Sequence, residues 1–226
     1  MQVGNARYLK TGDLPETLAV FPLAGALLLP GSQLPLNVFE PRYLSMFDDA
    51  LSGHRLIGIV QPSFSEQRDQ AGNATTPALC NVGCIGRITS FGETGDGRYV
   101  ISLTGICRFR LLHEITDHKA YRSFKIAPFT TDLTESDDET LVDREGLLAA
   151  FKAYLDANKL EADWESVELA SNTTLVNSMA MMSPFGPAEK QALLEAPDLK
   201  TRAEMLIAIT EIVLARTFGD LGTALQ

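Results

Sequence analysis

The side chains best suited to metal or nucleophilic chemistry are a small set of cysteines and histidines. The cysteines are Cys80, Cys84 and Cys107, and His113 and His118 follow them. A zinc site usually has two close pairs of ligands on turns, whereas Cys84 and Cys107 stand at apolar positions of predicted strands, where free cysteine behaves as a small hydrophobe. The spacing therefore predicts no metal site. Three cysteines in a chain of this size suit a reducing compartment better than a disulfide framework.

A second candidate for chemistry is the pair Glu40 and Arg42, which flank Pro41 and could serve as an acid and an electrophile. Because Pro41 is suited to the first position of a predicted helix, we favour a structural role in which Glu40 accepts hydrogen bonds from the backbone or an arginine. His54 follows Gly53 at the predicted end of that helix, where a positive imidazole would be favourable. We predict no catalytic residue at these positions.

Motifs for nucleotide hydrolysis and for peptide cleavage are missing from the sequence. It has no G-x-x-x-x-G-K-[ST] loop to hold nucleotide phosphates. It also has no G-x-S-x-G turn to expose a nucleophilic serine. We therefore expect neither ATPase nor peptidase activity. The prediction is a protein that is not an enzyme and that uses no cofactor.

Composition and charge narrow the classes of partner. With 226 residues, 45% of them hydrophobic and 21% charged, the chain can form one large or two small folded domains. Its net charge of -10 repels phosphate backbones and anionic lipid, so nucleic acid is a poor partner. The first ten residues lack the apolar core of a secretory signal, and the longest apolar run is broken by Pro22 and Gly25. We expect a cytoplasmic protein without a membrane segment.

Short apolar runs separated by proline and glycine predict a β-rich subdomain over residues 1–130. The predicted strands cover residues 17–23, 34–39, 56–61, 82–91, 99–103, 107–115 and 121–128. A glycine-rich stretch within residues 91–99 predicts a hairpin, and Thr104-Gly105 predicts a second, tight turn. In the strand over 107–115, alternation places Arg108 and Arg110 on the face opposite the apolar residues, which is typical of a half-buried strand.

The second half of the sequence has a helical period. Residues 131–145 are rich in Asp and Glu, and we interpret them as a solvated acidic linker between two subdomains. Beyond the linker, residues 146–226 are predicted to form a small helical bundle. One of its helices begins at Pro187, and the last begins with a capping box formed by Thr201 and Glu204.

Two blocks of sequence resemble a known family. The first joins Phe21-Pro22-Leu23, Leu29-Pro30-Gly31 and the run from Leu34 to Tyr43 to residues 82–88 and 105–109. The second joins Ser183-Pro184-Phe185 to residues 190–195. Over residues 18–218 the chain resembles the N-terminal domain of Lon-type ATP-dependent proteases, in a stand-alone form that lacks the ATPase and peptidase domains. The resemblance implies an α+β fold: a β-rich pseudobarrel like that of RNA-binding PUA domains, with an inserted helix, followed by a helical bundle.

The same resemblance implies a binding function. In the full-length protease this domain recognises substrates and helps hexamers to assemble, and it does not cut peptide bonds. We therefore expect a non-catalytic domain that binds protein or unfolded peptide segments, with Phe21, Phe39, Phe91 and Tyr99 as candidate contact residues. One alternative is an adaptor or regulator of a separate ATP-dependent protease. The other is an RNA- or nucleotide-binding PUA-like module, which the acidic charge disfavours.

Overall fold

The structure is a computed structural model that describes residues 1–64, 77–134 and 137–223. The strands are β1 (Gln2–Val3), β2 (Ala6–Arg7), β3 (Thr17–Pro22), β4 (Gln33–Val38), β5 (Leu56–Val60), β6 (Val82–Thr94), β7 (Arg98–Ile115) and β8 (Arg122–Pro128). The helices are α1 (Pro41–Ser52), α2 (Arg144–Asn158), α3 (Trp164–Leu169), α4 (Asn172–Met182), α5 (Pro187–Glu195) and α6 (Leu199–Thr223). Short 3-10 helices cover Thr11–Asp13, Thr130–Leu133 and Asp137–Leu141.

Six strands form one sheet in the order β4-β7-β6-β5-β3-β8, and β8 also pairs with β7. Strands β3, β5, β6, β7 and β8 therefore close into a ring. Closure is achieved because residues 109–115 of β7 pair with β8, while residues 99–104 of the same long strand pair with β4, which lies outside the ring. The β3–β5 pair is parallel, and the other pairs of this sheet are antiparallel. The predicted α+β class, a β-rich ring with one inserted helix followed by a helical region, is confirmed.

The interior of the ring is apolar and closely packed. All residues of β5 are buried, which fits its continuous Leu-Ile-Gly-Ile-Val sequence. Gly58 leaves room for Phe109, because a Cβ at Gly58 would lie 2.8 Å from the Cζ atom of that ring. Further side chains of this core come from every strand of the ring; they include Leu18, Val20, Leu56, Ile85, Cys107 and Phe124.

The tight turn predicted at Thr104-Gly105 is wrong, because β7 continues through this position. The pairing with β6 shifts here, since Ile85 pairs with Cys107 and Gly86 pairs with Gly105. This irregularity is a β-bulge, for which glycine is also a common signal. Gly105 exchanges backbone hydrogen bonds with residues 31 and 32. A Cβ at Gly105 would overlap the carbonyl oxygen of Leu29, so the close crossing of that loop requires glycine.

A buried ion pair joins β7 to the 3-10 helix that follows β8. The Arg108 side chain donates to Asp132 from Nε at 2.8 Å and from Nη2 at 2.7 Å, and the Arg108 backbone N–H donates to the same carboxylate at 2.9 Å. The two side chains are only 5% and 8% exposed. The expectation that Arg108 faces solvent is therefore wrong, and so is the expectation of a solvated Asp132. Alternation alone does not reveal that a partner carboxylate lies over this face.

The chain divides into two compact units, of which the first contains Met1–Glu135 and Phe185–Leu194. Helix α5 thus belongs mainly to the β-rich unit. It is held there by polar contacts: Gln61 donates to the Pro187 carbonyl oxygen at 2.9 Å, and Gln191 donates to the Val82 carbonyl oxygen at 3.1 Å. Arg108 Nη1 also donates to the Leu194 carbonyl oxygen. The division into subdomains 1–130 and 146–226, joined by a linker at 131–145, stays a prediction.

The second unit, Ser136–Pro184 and Glu195–Gln226, is helical. Helix α2 packs against α4 and α6, and its buried residues include Leu147 and Tyr154. Arg144 donates to the carbonyl oxygens of Val167, Glu168 and Ala170, which caps the end of α3. Within the described part of the chain, no helix has the length and apolar character needed to cross a membrane.

Helix α6 begins earlier than the sequence indicates. Asp198 is its cap, because the Asp198 carboxylate accepts from the Thr201 N–H at 2.7 Å and the Asp198 carbonyl oxygen accepts from the Arg202 N–H at 3.1 Å. The predicted capping box at Thr201 and Glu204 is therefore wrong: Thr201 is already within the helix. The hydrogen bond from the Thr201 N–H lowers the pKa of Asp198.

Removing one partner of the buried ion pair should strongly destabilise the β-rich unit. We expect Asp132→Ala to lower the free energy of unfolding by about 3–5 kcal/mol, because it leaves the Arg108 guanidinium buried without its carboxylate. Urea unfolding followed by circular dichroism measures this. Asp96→Ala is the matched control, since Asp96 pairs with Arg98 on the exposed hairpin and its loss should change stability little. Equal effects of the two substitutions would contradict the assignment.

The Asp198 cap should give the helical unit a pH-dependent part of its stability. Because the pKa of Asp198 is lowered by folding, its contribution is complete above the ordinary value of 3.8 and is lost as pH falls through the folded value. We expect Asp198→Ala to cost about 1 kcal/mol at pH 7, and Asp198→Asn to cost less, because asparagine also caps helices. Urea unfolding at pH 7 and pH 3 tests this. A gap between wild type and Asp198→Ala that widens on acidification would refute it.

Candidate functional site

A groove of about 240 Å³ opens on the β-rich unit beside the end of β3 and the beginning of α1. Among the described residues, the ionisable ones that line it are two arginines and two tyrosines, namely Arg42, Arg122, Tyr43 and Tyr121. The other lining residues are apolar and include three prolines. The groove therefore combines apolar walls with hydrogen-bond donors, which is typical of binding sites in proteins.

Strand pairing brings the two sides of the groove together. In the antiparallel pairing of β3 with β8, Val20 lies opposite Arg122. Strand β3 then ends at Pro22, which pairs with Val60 of β5. Pro62 forms an isolated bridge with Leu79, which places another apolar wall at the groove. Because proline has no N–H and a restricted backbone, these walls are stiff and poor in donors.

Tyr43 projects from the first turn of α1 and is only 8% exposed. Its ring centroid lies 4.4 Å from that of Phe21, and the Arg42 guanidinium carbon lies 4.6 Å from the Tyr43 ring centroid. Burial raises the pKa of the Tyr43 phenol, while the charge of Arg42 opposes that rise. The Tyr43 hydroxyl has no hydrogen-bond partner within the described part of the chain, and the residue lines the groove.

Both arginines are held by glutamates that do not line the groove. Arg42 contacts Glu40 through Nε at 2.9 Å and through Nη2 at 2.7 Å. The predicted structural role of Glu40 as an acceptor for arginine is confirmed. Arg122 contacts both carboxylate oxygens of Glu114 at 2.7 Å and donates to the Pro77 carbonyl oxygen at 2.9 Å. The hydrogen bond from Arg122 lowers the pKa of Glu114.

Tyr121 anchors the turn that leads into β8. Its hydroxyl donates to Asp49 on α1 and accepts from Lys119 Nζ at 2.7 Å. Lys119 also contacts Asp49 at 2.9 Å. Burial and the bond to Asp49 raise the pKa of Tyr121, so the phenol stays protonated at neutral pH. The triad fixes the turn against α1 and has no residue poised to act as a base.

The four predicted contact residues do not form one cluster, and they differ in exposure. Phe21 is 7% exposed and packs against Tyr43 and Phe47. Phe39 is 63% exposed, just before α1. Phe91 and Tyr99 lie together on the β6–β7 hairpin with ring centroids 4.9 Å apart, and the Tyr99 hydroxyl donates to Asp48 at 2.9 Å. The structure thus brings Phe91 and Tyr99 together and places Phe21 behind the groove.

The groove residues carry a weak sequence signal. Arg42-Tyr43 follows the proline that begins α1, and Tyr121 immediately precedes β8, which begins with Arg122. Each dipeptide combines a tyrosine with an arginine in a chain of net charge -10. Arg7-Tyr8 and Arg98-Tyr99 have the same composition but do not line the groove, so the dipeptides alone do not identify it. The register between β3 and β8, which brings the second pair to the groove, cannot be read from either dipeptide.

The cysteines and His54 have structural surroundings. Cys84 and Cys107 are buried, and burial raises the pKa of Cys84 strongly and that of Cys107 to about 12, which keeps both thiols protonated. His54 Nδ1 accepts from the Leu56 N–H at 3.1 Å, and desolvation lowers the pKa of its imidazole. The expected positive imidazole at the end of α1 is therefore wrong. In the described ranges, no three His, Cys, Asp or Glu side chains form a group that could hold a metal ion.

Comparison with known proteins identifies the family. Residues 17–211 match the model of the ATP-dependent protease La (LON) substrate-binding domain, and the chain belongs to this family. It is 31% identical over 208 residues to the Lon protease of Parabacteroides distasonis, and 26% identical over 204 residues to Lon protease 2 of Myxococcus xanthus. These matches cover 88% and 87% of this chain but 24% of each relative. The chain thus spans about a quarter of the length of the curated relatives it matches.

Solved structures share the fold. A Lon N-terminal domain protein from Xanthomonas campestris has a TM-score of 0.61 and 23% identity, and the match covers 85% of this chain and 97% of that chain. The N-terminal domain of the Lon protease from the Mycobacterium avium complex also has a TM-score of 0.61, with 18% identity. That second match covers 86% of this chain and 98% of the other. At these identities, the matches establish the fold alone.

Replacing the groove arginines should leave the fold intact. Both ion pairs are partly exposed, so we expect Arg42→Gln and Arg122→Gln to change the free energy of unfolding by less than about 1 kcal/mol. Thermal and urea unfolding measure this. A loss comparable to that expected for Asp132→Ala would show that these pairs are structural, and would contradict the interpretation of both arginines as available for binding.

Proposed function

We propose that this chain is a non-catalytic substrate-binding domain that holds extended segments of other proteins in the groove. The observation that carries the proposal is an open groove with apolar and aromatic walls, in a chain that belongs to the LON substrate-binding domain family. Apolar side chains, which folded proteins bury, are the groups that pack best against such walls. The absence of the nucleotide-binding and nucleophile motifs from the sequence supports binding without turnover.

The expected affinity is low. An extended segment loses conformational freedom when it binds, and a groove of about 240 Å³ offers contact to only one or two residues. Dissociation constants between about 1 μM and 1 mM are therefore expected. Phe39 and the pair Phe91 and Tyr99 provide a second candidate contact surface, since all three are at least partly exposed. Phe21 would contribute through its packing against Tyr43.

Two alternatives lead to different experiments. An adaptor or regulator of a separate ATP-dependent protease would use the same groove for substrates, and it would gain affinity by avidity when several copies bind one oligomeric protease. Binding of RNA or nucleotides is disfavoured by the net charge of -10 and by the glutamates that pair with both groove arginines. A gel shift with RNA that weakens steeply with salt would favour the second alternative.

The direct test is a titration of isotope-labelled chain with the unfolded and the folded form of one protein. We expect amide resonances of groove residues such as Leu79 and Ala120 to shift with the unfolded form, because only that form exposes apolar segments. Tyr154→Phe changes a tyrosine of the helical unit, outside the groove, and it should leave the shifts of the groove resonances unchanged. If no resonance moves with either form at millimolar concentration, the proposed function is wrong.

A further inference from the structure

The Tyr43 hydroxyl is a polar group for which the described residues provide no hydrogen-bond partner. Its residue is more than nine-tenths buried, and no hydrogen bond to the hydroxyl is formed within the described part of the chain. Tyr43 is also one of the residues that line the groove. A phenol whose ring contacts both Phe21 and Arg42 is a preorganised donor.

Two guanidinium groups accompany this donor. Arg42 and Arg122 line the same groove as Tyr43, and the Arg42 guanidinium carbon lies 4.6 Å from the Tyr43 ring centroid. Arg42 uses Nε and Nη2 for Glu40, and its Nη1 has no partner among the described residues. Among the described residues that line the groove, none is acidic. In a chain of net charge -10, this is a local concentration of donors that suits an anionic oxygen.

The size of the groove limits what can carry that oxygen. About 240 Å³ is smaller than the sites that enclose drug-sized ligands, for which about 300 Å³ is a lower bound. One or two residues of the ligand must therefore both contact the apolar walls and accept hydrogen bonds from the donors. The last residue of a protein chain meets both requirements at once, because it has a side chain and a carboxylate on the same Cα. An internal acidic segment would need a second residue to supply the apolar contact.

We propose that the groove binds the C-terminal residue of a protein chain, with an apolar side chain against the proline walls and the terminal carboxylate accepting hydrogen bonds from Tyr43 and Arg42. The inference rests on the proposed function and specifies its substrate class. Arg122, which Glu114 holds in place, adds long-range attraction without needing to leave its partner. Recognition of a chain end in this way is distinct from strand addition at a sheet edge.

The test compares three fluorescein-labelled peptides of one sequence by anisotropy. The first ends in leucine with a free carboxylate, the second is its C-terminal amide, and the third is the amide with one internal aspartate beside leucine. We expect the free acid to bind about tenfold more tightly than the amide, which is the usual effect of one hydrogen bond to a charged group. The internal aspartate should not restore the loss.

Variants of the chain test which residues cause the preference for the free acid over the amide. Tyr43→Phe keeps the packed ring, and it should lower the affinity for the free acid about tenfold while leaving that for the amide unchanged. Arg42→Gln should act in the same direction. Tyr154→Phe and Arg98→Gln make the same chemical changes at residues that do not line the groove, and each should change affinity less than about twofold. Thermal unfolding confirms that each variant is folded.

The outcomes separate this inference from the proposed function. Equal binding of acid and amide would overturn the C-terminal preference and leave segment binding intact. Equal binding of the free acid and the internal aspartate would overturn it in favour of acidic side chains. If no peptide binds at millimolar concentration, and the unfolded protein also causes no shift, then the inference and the proposed function both fail.

Discussion

The antiparallel pairing of β3 with β8 is the constraint on which the groove depends. It places Val20 opposite Arg122 and brings the proline that ends β3 next to the turn that precedes β8. This pairing is one of the links that close the ring, and the ring is completed where residues 109–115 of β7 pair with β8. A shift in the β3–β8 register would therefore separate the residues of the groove without unfolding either strand.

Arginine has two different roles in the β-rich unit. Arg108 is buried, is held by both oxygens of Asp132, and also donates to the carbonyl oxygen of Leu194 at the end of α5. Such a pair fixes one arrangement of the chain, since breaking it leaves a buried charge. Arg42 and Arg122 are instead held at a partly exposed surface, where the loss of a pair costs little. The same residue type thus stabilises the ring in one place and offers donors in another.

Much of the β-rich unit could be predicted from local sequence signals. Pro41 and Gly53 bracket α1, and the glycines of the 94–97 turn identify the β6–β7 hairpin, because each residue acts on its own backbone. One error is local, since Asp198 caps α6 only three residues before the predicted capping box at Thr201.

The other main errors involve residues distant in sequence. The turn predicted at Gly105 is wrong because the crossing loop at Leu29 is not visible from the neighbours of Gly105. The prediction of a solvated Asp132 is wrong because its partner lies on β7. The groove cannot be predicted for the same reason: Tyr43 and Arg122 come to one groove only through strand register.

The groove beside Tyr43 is the surface through which we propose that this chain contacts other proteins. The most direct measurement places a photoreactive amino acid at Ala120, which lines the groove, or at Leu9, an exposed residue of the β-rich unit that does not line it. Each chain is irradiated with an unfolded protein, and the crosslinks are mapped by mass spectrometry. We expect crosslinks from position 120 and few from position 9. Crosslinks from position 9 alone would contradict the proposal.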